Sequence, residues 1–154
     1  MSKDKEAKRK PLATYQTTLD SIREVASRVN QAASSASDEI EALEKELADI
    51  EPGVTVWTTP IYQGAATFVG PDERATNASR VVKLGFGKSQ KWGLLVSETY
   101  LAPNGAELGS EVQLLRKADR DVRLLAQPHL GLVLEAVLSA LNAGVSQLPA
   151  AAEE

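Results

Sequence analysis

Few residues in this chain carry chemistry of their own, and their spacing limits what they could do. The segment Leu84-Gly-Phe-Gly-Lys-Ser89 ends like a phosphate-binding loop, in which backbone N–H groups and the first turn of a helix cradle the phosphates. The full motif has a further glycine five residues before Gly87, where this chain has Val82. It also needs a helix directly after Lys-Ser, and the residues that follow alternate as a strand does. The segment therefore reads as one arm of a β-hairpin. His129 is the only histidine and cysteine is absent, so the usual zinc-binding sets are out of reach. A histidine base also needs a group that holds its ring, and no such partner stands at a recognisable spacing. Glu98 and Glu111 would work as an acid–base pair only at a distance the sequence does not fix, and both read as solvent-facing strand residues. Arg116-Lys-Ala-Asp-Arg-Asp-Val-Arg123 is dense in charge. It is an anion site or docking surface on one reading, and a capped helix start with ion pairs on the other. Trp57, Trp92 and Tyr100 suit a pocket lining or, more simply, core anchors. No catalytic constellation assembles from these residues, so the expectation is a non-catalytic protein with no cofactor and no metal.

The balance of the whole chain narrows the class. Its 154 residues are 43% hydrophobic and 25% charged, with 5% aromatic, a globular composition whose core must rest on Leu, Val, Ile and Ala. A net charge of -4 argues against a nucleic-acid-binding face. Lys3, Lys5, Lys8, Arg9 and Lys10 are diluted by Asp4 and Glu6 and carry no interleaved aromatic. Residues 1–10 therefore read as a solvated tail rather than a phosphate-binding arm. No apolar stretch follows them, and the run from Leu130 to Leu138 is interrupted by Glu135. Neither a secretory signal nor a membrane span is expected, and the expected location is cytoplasmic.

The strongest pattern lies just after the tail. Leu12, Tyr15, Leu19, Ile22, Ala26, Val29, Ala33, Ala36, Ile40, Leu43, Leu47 and Ile50 follow one another at spacings of three and four. That is an unbroken a/d heptad repeat with Leu12 at a. Of the other 27 residues between Leu12 and Ile50, only five are apolar, so the stripe is narrow and faces a helical partner rather than a broad core. Pro11 suits a first helical turn, and Pro52-Gly53 stops the helix. These twelve residues are the candidate interface.

The centre of the pattern is weaker. Ala33 and Ala36 bury little surface, and Ser37 before Asp38 and Glu39 looks like a helix N-cap. Two helices folded into a hairpin within the chain are the alternative. The heptad phase survives the serines, which a loop has no reason to preserve, and this favours one helix on the order of 60 Å long. Residues 1–30 carry seven basic against four acidic residues, and residues 31–51 carry one basic against seven acidic. A parallel pair would set Glu39 against Glu44 and Glu46 against Glu51, which disfavours it. An antiparallel pair sets the acidic half against the basic half. The expected partner is a second copy in antiparallel orientation, or another helical protein.

Beyond Gly53 the period changes to two. Val54–Tyr62 reads as a strand with an edge character from Pro60, and Ala65–Val69 as a continuation or a neighbour. Residues 70–79 read as a loop. Arg80–Lys88 and Lys91–Leu101 make a hairpin around Ser89-Gln90, with Gly85, Gly87 and Gly93 on the face opposite Val82, Leu84 and Phe86. A second hypothesis places a small-ligand or enzymatic site on that glycine-rich face. Glu111–Leu115 fits a short last strand. From Asp119 an apolar helical stripe runs to Val145, with a kink or restart at Pro128. The expected fold class is α+β: a long N-terminal heptad helix (or helical hairpin) followed by a small antiparallel meander covered by a C-terminal helix. The expected domains are a tail over 1–10, a coiled-coil helix over 11–51, an α+β domain over 52–148 and a tail over 149–154.

Overall fold

The computed structural model of the chain describes residues 12–146 and 148, so both expected tails lie outside the described residues. The chain divides into two compact units, 1–35 and 36–154. A single helix, α1 (Gln16–Ile50), runs through the division. The serines at its centre do not turn the chain back.

In the first unit, residues 12–35 are helical apart from a turn at Tyr15. Their polar flank is held along the helix. Arg23 pairs with Asp20 at 2.9 Å, and Arg28 pairs with Glu24. Exposed pairs of this kind contribute roughly 0.2–0.5 kcal/mol each, so they support the helix without deciding its fate.

The second unit is an antiparallel sheet with helices on one face. Its strands are β1 (Val56–Trp57), β2 (Tyr62–Val69), β3 (Ala75–Ser89), β4 (Lys91–Leu101) and β5 (Glu107–Leu114). β3 is the spine: it pairs along its whole second part with β4, and its other edge takes β2 and then β1. Alternation fixes the register, because a one-residue slip would turn the apolar set outward. Leu84 stands opposite Val96 and Phe86 opposite Leu94, and all four are buried.

Three strand boundaries depart from expectation. β3 begins at Ala75 within the stretch read as loop, because Ala75–Val82 forms a continuous ladder with β2. β5 begins at Glu107 for the same reason, paired with β4. The strand expected over Val54–Tyr62 is broken near Pro60, which has no N–H to give. Its residues still hold β3: Thr58 and Ile61 donate backbone N–H bonds of 2.8 Å to Leu84 and Val82. Thr58 Oγ1 also accepts the Leu84 N–H at 3.1 Å.

After β5 come a 3-10 turn (Leu115–Lys117), α2 (Arg120–Ala126), a second 3-10 turn (Gln127–His129) and α3 (Leu130–Ser146). The restart at Pro128 is as expected. Asp119 precedes α2, but its side chain makes no capping bond.

The core joins the sheet to α3 and to the second half of α1. Ile40 and Leu47 lie in one cluster with Val82, Leu84, Phe86, Leu94, Val96, Val133 and Val137. Residues 36–50 of α1 therefore belong to the α+β unit, and the division between units falls inside the helix rather than after residue 51. Four polar ties hold this half of the helix. Leu94 lies beyond the last β5 partner, and its free N–H donates to Glu44 Oε2 at 3.1 Å. Glu44 Oε1 lies 3.6 Å from Arg116 Nη1. Arg123 donates to the Ser37 hydroxyl, and Gln127 donates to the Glu39 carboxylate, both at 2.9 Å. Residues that read as a helix N-cap and as charges facing a partner are thus engaged within the unit.

Candidate interaction surface

The heptad stripe has two fates along α1. In residues 36–50, Ala36, Ile40 and Leu47 are buried, and Leu43 packs partly on the core. Only Ile50, 65% exposed at the helix end, stands clear. In residues 12–35 the stripe is partly open. Leu12, Tyr15 and Ile22 are 56%, 60% and 56% exposed. Leu19, Ala26 and Val29 are half-buried, and Ala33 is buried. Val25, beside the stripe at a g position, is 55% exposed and widens it. A helix with such a face in water loses the apolar burial that normally stabilises it, since most helical stability in proteins comes from packing one face.

No protein-family model, curated protein or solved structure matches this chain.

The other candidate groups are spent on structure. Gly85, Gly87 and Gly93 do not leave an open platform. A Cβ on Gly85 would stand 2.5 Å from the Val56 carbonyl and 2.7 Å from the Trp57 ring. Positions for a Cβ on Gly87 and Gly93 are taken by Thr55 and by Leu114 with Glu44. These glycines let the chain's own segments approach β3 and β4 closely. Ser89 continues β3 into its turn at Gln90, φ 65°, so the Gly-Lys-Ser segment precedes a strand and no helix.

Glu98 and Glu111 are opposite each other in the β4–β5 ladder, but the Glu98 carboxylate is taken by the Arg80 guanidinium. Burial pulls the Arg80 pKa down, but the hydrogen bond and charge of Glu98, together with Tyr100 and Tyr62, raise it by more in sum, so the net shift is upward. The Arg80 guanidinium also sits 5.7 Å from the Tyr62 ring centre, and Phe68 packs on Tyr100 at 5.4 Å. Sequence reasoning missed this cluster, because Arg80 and Glu98 become neighbours only through the β3–β4 register.

Trp57 covers Gly85. Trp92 stacks on Phe86 at 5.7 Å and borders a cavity of about 420 Å³ with Leu47, Ala48, Glu51, Pro52 and Gly53. Of the charged cluster, Arg116 and Arg123 face α1 rather than a ligand. His129 closes the second 3-10 turn. Among the described residues no group of three or more His, Cys, Asp or Glu side chains is placed to hold a metal.

Arg120–Ser146 is long and apolar enough to cross a membrane by length and composition, which the short run around Glu135 did not suggest. Its inner residues Leu130, Val133 and Val137 are buried in the core of the second unit. Its outer residues Leu134, Leu138 and Val145 are 40%, 60% and 64% exposed.

Proposed function

We propose that this protein is a non-catalytic interaction protein that docks through the N-terminal part of α1, with a second copy in antiparallel orientation as the partner. The supporting observation is the split stripe. Its heptad spacing is unbroken, Ile40, Leu43 and Leu47 pack in the core of the α+β unit, and Leu12, Tyr15 and Ile22, with Val25 beside them, remain more than half exposed. Amphipathic helices of this kind bind by laying their apolar face against another helix or into a groove. The glycine-rich sheet face supports a ligand reading less well, because the chain's own side chains fill the space.

Light scattering after size exclusion tests the reading. The full chain is expected to run as a dimer, and Leu19→Glu combined with Ile22→Glu as a monomer with an unchanged sheet signature in circular dichroism. A full chain that stays monomeric at high micromolar concentration removes self-association. A dimer indifferent to both glutamates removes the stripe from the interface.

A further inference from the structure

We propose that the cavity beside Trp92 binds a small quaternary ammonium cation, with the apolar walls meeting its alkyl groups and Glu51 its charge. The cavity lies where the end of α1 faces the start of β4, within the second unit. Its volume is about 420 Å³, a size that holds a small ligand. Leu47, Ala48, Pro52, Phe86 and Trp92 make most of the wall. Glu51 is the only charged residue among the described ones that line it.

Four observations select the ligand class. The first is charge. The last turn of α1 carries Asp49 and no basic residue, and Glu51 follows directly. A helix C-terminus is the negative pole of its backbone and favours a cation, yet here it gathers acidic side chains. Among the described residues no ion pair takes the Glu51 carboxylate. Lys88, which stands opposite Trp92 in the β3–β4 ladder, is not paired with it either. The second is the backbone at Glu51. Its φ is 53°, in the left-handed region that glycine adopts most readily after a helix. A glutamate there holds a carboxylate at the cavity against its own conformational preference. The third is the aromatic wall. Trp92 stacks on Phe86 with ring centres 5.7 Å apart and is 39% exposed, so ring surface remains to attract a cation. The fourth is the scarcity of polar groups in the wall. A protonated primary amine brings three N–H donors that need acceptors. A quaternary ammonium brings none, and its alkyl shell suits apolar and aromatic walls. A single carboxylate does not make a metal site, and no group of three metal-binding side chains stands among the described residues.

Titration of the full chain with tetramethylammonium and with choline, read from the tryptophan indole N–H signals by NMR, tests the site. The Trp92 signal is expected to shift and to saturate at millimolar concentration or below. Trp57 covers Gly85 on the other face of the sheet, and its signal should stay in place. The alcohol in which carbon replaces the choline nitrogen should bind at least about tenfold more weakly. Glu51→Gln, at an exposed position, should weaken choline about fivefold and leave the thermal melt in place. No saturable shift at Trp92, or equal shifts at both tryptophans, overturns the site. Equal binding of the uncharged alcohol, or unchanged affinity in Glu51→Gln, overturns the cation. A peptide carrying trimethyllysine that binds more than about tenfold tighter than either free cation overturns the small molecule as its source. The dimer is read separately by light scattering, so either reading can fail without the other.

Discussion

Ile40→Ala is expected to lower the unfolding free energy by about 2–5 kcal/mol, and Ile22→Ala by less than about 1 kcal/mol. Both isoleucines sit on one helix and on one heptad stripe. Ile40 is fully buried in the core cluster, and Ile22 is 56% exposed. Truncating Ile40 removes apolar burial and leaves a void that the sheet cannot close, because β3 and β4 are held by their own ladder. Truncating Ile22 removes little burial, and the better helix propensity of alanine offsets part of that. Urea unfolding at protein concentrations low enough to suppress association measures both. Equal losses would mean that the exposed half of the stripe is packed in solution.

The second large effect is expected at the far end of the sheet. Glu98→Ala should cost about 3 kcal/mol, because it leaves the Arg80 charge mostly buried without its partner. The side chains are only 26% and 15% exposed. Arg80 Nε is already buried without a hydrogen-bond partner, so the pair has not recovered its full desolvation cost. Replacing both residues by leucine should therefore recover most of the loss. A double-mutant cycle reads this, and additive losses would show that the two groups are not coupled. The sign of the pH dependence follows from the upward shift at Arg80. A raised folded pKa gives stability that is present below the unfolded arginine value and is lost only as pH rises through the folded one. Both lie above ordinary working pH, so the Arg80 contribution should not vary between neutral and mildly alkaline solution.

Periodicity carried much of the fold. The period of α1, the β3–β4 hairpin and the restart at Pro128 were legible because each is written in local spacing. What the spacing did not carry is which surface a stripe meets. Ala36 to Ile50 has the same heptad form as Leu12 to Val29, and only the presence of the sheet beneath Ile40 and Leu47 tells them apart. The strand boundaries at Ala75 and Glu107 were hidden for a related reason. Ala75-Thr-Asn-Ala-Ser79 has the composition of a loop, and pairing with β2 makes it a strand. Ser37 reads as a helix N-cap and Glu44 as a charge facing a partner helix until Arg123 and the Leu94 amide are seen beside them. The candidate stripe was legible residue by residue. The joint core of α3 and the second half of α1 was not, since the two come together only in the folded unit.

β2 has a further consequence. Tyr62–Val69 pairs with β3 on one side, and no strand among the described residues pairs with the other. The segment YQGAATFV contains no charge and no proline, so its free edge offers unpaired backbone groups to any extended chain. Protection falls to the flanks, where Pro60 precedes it and Asp72, Glu73 and Arg74 follow. Such gatekeepers slow edge-to-edge stacking without abolishing it. Heating a concentrated sample should therefore end in fibrous, dye-binding precipitate rather than in reversible unfolding. A single lysine at Thr67, which is exposed on that strand, should raise the yield of refolded protein on cooling.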